Sequence, residues 1–137
     1  MKVSTLPTNK EIITAIFAET AKGNGRPYVE AMADDVTWRT IGNGSWSGTF
    51  SGKETILREI LGRLREKFEG RNTCIPSRIF ADGDFVIVQA NGRNRTKDGK
   101  AYENDYCFVI RMKDGKMAAI EEYCDTELVA SALGERI

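Results

Sequence analysis

The chain has 137 residues, 41% of them apolar, with twenty Lys or Arg balanced by twenty Asp or Glu and no histidine. That length suits one domain, residues 1–137, able to bury roughly 65–70% of the surface its unfolded chain exposes. The zero formal charge disfavours a surface that tracks phosphates, and the missing imidazole excludes Ser-His-Asp and Cys-His nucleophiles and disfavours zinc or non-haem iron sites. Acid–base chemistry therefore falls to carboxylate, tyrosine, lysine or cysteine.

Thr8 and Glu11 form a Thr-x-x-Glu capping box, and Ile12, Ile13, Ile16, Phe17 and Ala21 recur at helical spacing after it. Gly23 and Gly25 end this helix. Pro27 suits the first position of a short second helix over 27–33, closed by Asp34 and Asp35. Residues 36–41 alternate as a strand with Val36, Trp38 and Thr40 on one face. A glycine-rich loop follows over 42–50. Ser51 and Glu54 read as a second capping box, opening a helix whose apolar stripe runs from Ile56 to Phe68 and which Gly70 stops. Its basic residues Lys53, Arg58, Arg63, Arg65 and Lys67 lie off that stripe and read as a solvated face.

Beyond residue 70 the period changes. Asp82-Gly83, Asp98-Gly99 and Asp114-Gly115 are turn signals spaced 16 residues apart. The runs 72–81, 84–96, 101–113 and 116–124 between them predict a four-stranded antiparallel meander. A strand of a dozen residues would span ~40 Å if flat, so the sheet must twist and curl, with bulges. A short helix over 126–132, capped by Asp125, closes the chain. The whole predicts an α+β fold: a cone-shaped, strongly curved antiparallel sheet wrapped around the N-terminal helices, with a pocket near one end.

Cys74, Cys107 and Cys124 are odd in number and lack metal-ligand spacing, so they read as buried reduced thiols. The first seven residues carry no apolar core of a signal peptide, and no apolar run approaches the ~20 residues of a membrane span. The expectation is a cytoplasmic protein with no membrane or nucleic-acid partner.

The element order and several motifs resemble the nuclear transport factor 2-like superfamily, in its SnoaL-like and ketosteroid-isomerase-like branch. The matching stretches are the opening helix, Asp35-Val36-Thr37-Trp38-Arg39, the run from Ser47 to Glu54, and Asp114-Gly115-Lys116 leading to Ile120-Glu121-Glu122-Tyr123-Cys124-Asp125-Thr126. The resemblance covers essentially the whole chain. It implies a small-molecule-binding protein: either a cofactor-independent isomerase or cyclase moving a proton on an apolar or cyclic carbonyl compound, or a non-catalytic ligand-binding or dimerisation module. It also implies a homodimer, and the convex sheet face reads as a partner surface. No metal or organic cofactor is expected.

On the last strand Ile120, Glu122 and Cys124 share one face, the one that lines the cone in the resembled family. Desolvation there would raise the Glu122 pKa into a useful range, making it the first catalytic candidate, as base or acid; the competing reading is a structural carboxylate paired with Arg93. Gln89, Asn91 and Arg93 share a face of one middle strand, and Asn104, Tyr106 and Phe108 a face of the next, and the two faces can coincide. Tyr106 is the best oxyanion donor, with Asn91 and Asn104 as alternates. Trp38, Gln89, Arg93, Asn104, Phe108 and Cys124 are the substrate-binding candidates. The Asp–Arg–Asp triad of the similar epoxide hydrolases is broken, since Gln89-Ala90-Asn91 and Glu122 occupy those positions. Trp46 either caps the pocket mouth or anchors its loop, Tyr28 packs or reaches into the cavity, and Asp35 is a minor candidate for a base.

Overall fold

The computed structural model describes residues 6–137. The Thr8–Glu11 capping box forms as read, each side chain bonding the other's backbone N–H, and starts α1 (Asn9–Thr20). Next come α2 (Arg26–Ala31) and β1 (Met32–Thr40). The strand starts earlier than the sequence pattern suggested. Asp34 and Asp35 lie inside β1 rather than ending α2, because Met32 is already extended (ψ 134°).

After β1 the chain runs through a loop into β2 (Gly48–Ser51), then α3 (Lys53–Ile56), a π-helical turn (Leu57–Leu61) and α4 (Gly62–Lys67). The expected Ser51 cap does not form. Ser51 ends β2, and Gly52 occupies the N-cap without a side-chain bond, at a φ of 92° that L side chains rarely adopt. The π turn has a local cause at Gly62: a Cβ there would sit 2.8 Å from the Leu57 carbonyl oxygen. The helix ends at Lys67, before Gly70, where Phe68 turns extended as the first residue of β3 (Phe68–Glu69).

The second half is the expected meander: β4 (Cys74–Asp82), β5 (Phe85–Gly92), β8 (Asp105–Lys113) and β9 (Lys116–Cys124). With β1 and β2 it makes a six-stranded sheet in the order β2-β1-β9-β8-β5-β4, antiparallel except where β1 lies parallel to β9. The curl has visible causes. Register shifts interrupt β4 between Pro76 and Arg78 and the β8–β9 ladder between Arg111 and Met112. The two longest runs break, so the tip of the middle hairpin, β6 (Asn94–Thr96) and β7 (Ala101–Tyr102), leaves the main sheet and pairs with β3. Fully buried Asn104 holds the break at β7–β8: its Nδ2 donates to the Tyr102 hydroxyl and the Asp125 carbonyl, both at 3.1 Å, and its Oδ1 accepts from Asp125 N at 3.0 Å.

The concave face of the sheet packs on α1, α2 and the helical segment from Lys53 to Lys67, with Ile13, Phe17, Val36, Ile56, Val88, Ile110 and Ile120 among the buried side chains. A second cluster of Trp46, Phe68, Tyr102, Val129, Ala132 and Leu133 closes the open end. Asp125 caps α5 (Thr126–Leu128), accepting from the N–H groups of Glu127 and Leu128, and a π-helical turn over Val129–Leu133 follows. The C-terminal residues strap this end down. Trp46 Nε1 donates to the Gly134 carbonyl at 2.9 Å, and Arg136 meets Glu59 at 2.7 Å.

Candidate active site

Between the two clusters lies a partly open cavity of about 80 Å³. It is smaller than the ~150 Å³ cavity that admits benzene, so it takes a molecule of a few heavy atoms unless a wall moves. Trp38, Tyr106, Phe108 and Glu122 of the sheet line it, with Ile60, Leu61 and Leu64 of the long helical segment and Trp46, Val129 and Leu133 of the second cluster. Among the described residues Glu122 is the only charged one of the lining.

The register explains why Glu122 points inward. Lys113 pairs with Lys116 across the turn, and uninterrupted pairing from there would set Glu121 opposite Phe108. The bulge at Ala118 shifts the ladder by one, so Phe108 faces Glu122 and Glu121 turns to the convex side. Parallel β1 sets Thr40 beside Glu122 and Trp38 beside Ile120. Burial pushes the Glu122 carboxyl from 4.5 up to about 7, against the weaker pull of the Cys124 and Trp38 side chains, which favour the charged form. The surface it retains faces the cavity. Among the described residues no Lys or Arg pairs with it, and the salt bridge to Arg93 is absent.

Two buried donors near this carboxyl lack a partner. The Tyr28 hydroxyl is unbonded, and burial, then Glu122, drives its pKa well up. The Trp38 indole N–H meets no acceptor at full hydrogen-bond geometry, yet lies close enough to Glu122 to stabilise its charge. A second set of donors can be counted at Tyr102. A tyrosine hydroxyl offers one proton and two lone pairs. Tyr102 accepts from Asn104 at 3.1 Å, and the Tyr106 phenol lies beside it, an arrangement that raises Tyr106 and lowers Tyr102. One lone pair is thus engaged, and no acceptor claims the Tyr102 proton among the described residues. Burial still places Tyr102 at about 12 overall, so it remains a neutral donor.

The structure gathers Glu122, Tyr106, Phe108 and Trp38 around the cavity. It separates the others. Val88 and Ala90, not Gln89 and Asn91, oppose Phe108 and Tyr106. Gln89, Asn91 and Arg93 therefore face away from the cavity. Asn91 bonds Asp105 at 2.9 Å and Arg93 bonds Asn91. The reason is turn length. A two-residue Asp98-Gly99 turn would oppose Lys97 and Lys100, but the loop spans 97–99 and Thr96 bonds Lys100, and one residue of slip exchanges the faces. Asn104 is inward but spent on Tyr102 and Asp125, so it positions rather than binds. The expected oxyanion donor Tyr106 lines the cavity with its phenol beside that of Tyr102, and burial drives its pKa well up. Cys124 touches the Glu122 carboxyl and packs at the second cluster without lining the cavity. Trp46 anchors its loop through Gly134 and lines the cavity.

Sequence reasoning missed Tyr102, Cys74 and Asn72 as lining residues. Tyr102 had a signal, since it shares its parity with Tyr106 and Phe108. Cys74, its thiol pushed by burial to about 12, and Asn72 sit at a strand start where no alternation points.

A curved open sheet clasping helices around one carboxylate-bearing cavity defines a nuclear transport factor 2-like protein. Solved structures of that kind are similar to this chain. A nuclear transport factor 2-like protein from Burkholderia thailandensis is similar at 25% identity and a TM-score of 0.80, over 93% of this chain and 98% of that one. One from Burkholderia xenovorans is similar at 27% identity and 0.69, over 91% and 95%. A Jannaschia protein described as a SnoaL-like polyketide cyclase shares the fold at 18% identity and 0.75, over 98% and 97%. The model of the SnoaL-like domain matches residues 13–120, so the chain belongs to the SnoaL-like domain family. No curated protein matches the chain in sequence.

Proposed function

We propose that the protein is a cofactor-independent isomerase or cyclase that moves a proton on a small carbonyl compound, with Glu122 as the acid–base group. The observation that carries this reading is a cavity-facing carboxyl, unpaired and raised by burial to about 7, where it can both take and return a proton near neutrality. Tyr102, a neutral phenol in the lining that already accepts from Asn104, supplies the donor for the developing enolate oxygen, in place of Tyr106. The cyclase description of the Jannaschia relative agrees with this chemistry. The cavity volume favours substrates well below polycyclic size. The test is exchange of α-protons of small linear and cyclic ketones in heavy water, followed by NMR. Wild type should exceed buffer, Glu122→Gln should lose about 10²–10⁴-fold and Tyr102→Phe about 10²-fold. Exchange by Glu122→Gln equal to wild type would sink the assignment.

A second reading, a ligand-binding or dimerisation module without catalysis, is favoured by the convex face, where Phe80 and Phe85 are about half exposed (49% and 41%). A second copy covering this face gives a homodimer. Light-scattering mass on the purified protein decides it, and a monomer at high concentration refutes it.

A further inference from the structure

We infer that the Glu122 cavity is also a binding site for a small methylated ammonium ion. Four observations converge on it. Among the described residues Glu122 is the sole charge of the lining, and no cationic side chain pairs with it. A buried carboxylate without a counter-charge is costly, and an entering cation relieves that cost. The walls are aromatic: Trp38, Trp46, Tyr102, Tyr106 and Phe108. Trp38 and Phe108 stand edge to face at 84° and Tyr106 stacks on Phe108 at 5.2 Å, so ring faces of two orientations bound the space. Aromatic walls around an anion are the arrangement that recognises quaternary ammonium groups, whose methyls form no hydrogen bonds. Finally, about 80 Å³ suits a group of a few heavy atoms. The cation would rest against the rings with its charge toward the carboxylate, while the Trp38 N–H and the Cys124 thiol favour the charged form from the protein side.

This inference goes beyond the proton-transfer reading and does not depend on it, since it concerns what the ionised carboxylate attracts. The groups facing Glu122 are Tyr28 from α2, Trp38 and Thr40 from β1, Cys74 from β4, Tyr102 from β7, Tyr106 from β8 and Cys124 on β9, with Asp125 acting on Cys124. Burial raises every phenol and thiol in this set, so in mildly acidic to mildly alkaline solution Glu122 is the one among them whose charge changes.

Calorimetric titration with tetramethylammonium chloride tests it, with tert-butanol as the neutral isostere. Binding should be at least about tenfold tighter at pH ~8.5 than at pH ~5.5, and titrations at pH ~6.5 in two buffers of different ionisation heat should show proton release. Glu122→Gln should lose the pH dependence and about tenfold or more in affinity, and Tyr106→Leu should weaken binding severalfold while keeping the pH dependence. Equal binding of tert-butanol, no binding of tetramethylammonium at either pH, or full affinity in Glu122→Gln would overturn the inference. Ketone exchange measured on the same samples reports on the proton-transfer reading separately.

Discussion

Glu121 and Glu122 are chain neighbours of the same type, and the sheet gives them opposite lives. Glu121 lies on the convex face, half exposed, with Arg39 at 3.1 Å and the Tyr123 hydroxyl at 3.4 Å. Glu122 lies on the concave face among aromatic rings, without a cation, its carboxyl raised to about 7. Nothing in the residue type separates them. The difference comes from which side of the sheet each meets, and therefore from one bulge residue, Ala118. Reactivity in this fold is a property of facing.

The contrast can be pressed hardest on the next strand. Ile110 faces inward and is fully buried, whereas its neighbour Val109, opposite Glu121, is only partly buried on the convex side. Ile110→Ala should cost about 2–5 kcal/mol in urea unfolding and Val109→Ala no more than about 1 kcal/mol. Similar costs for the two would mean that the convex face is covered.

The next effect is a pH dependence. The folded protein holds the Glu122 proton up to about pH 7, whereas the ordinary value is 4.5. The native state therefore binds more protons than the unfolded chain between those limits. This group's contribution is fully present below about 4.5 and is lost as pH rises through about 7, to a bound of roughly 3 kcal/mol. Comparing wild type with Glu122→Gln in urea unfolding at pH ~5 and pH ~8.5 isolates it: the wild type should lose stability on going alkaline by up to that amount more than the variant. A parallel pH profile in the two proteins would contradict the desolvated carboxyl.

Glu121→Gln gives the smallest change. A half-exposed pair with Arg39 is worth about 0.2–1 kcal/mol, screened by salt. Its removal should leave ketone exchange and the Glu122 titration unmoved. An altered titration would show that charge reaches through the sheet.

Much of this was legible in the sequence because it depended on local period. The capping box of α1, the three Asp-Gly turns, the Val36-Trp38-Thr40 face and the inward set Ile120-Glu122 need only counting within one element. What was not legible lay between elements. Choosing which face of β5 turns to the core required the length of the 97–99 loop, and an Asp-Gly pair does not state whether Lys97 belongs to the turn. The Ser51 cap failed for a related reason: the same Ser-x-x-Glu pattern is satisfied by a strand end, and the β1–β2 pairing, Thr37 with Ser51, claimed the residue first. Asn104 was singled out for its donors, but its partners Tyr102 and Asp125 come from either side of a strand break invisible to alternation.

The loop over 97–99 has an evolutionary consequence. It lies at the tip of a hairpin, at residues mostly exposed, where small insertions and deletions pass easily through selection. Yet its length decides whether Val88 and Ala90 or Gln89 and Asn91 meet Phe108 and Tyr106. Loss of one residue there, with the ladder following, would exchange the buried apolar side chains of β5 for amides without a single substitution in that strand. A lineage built on this scaffold can thus rewrite the polarity of its concave face in one indel, through a segment that lies outside the core.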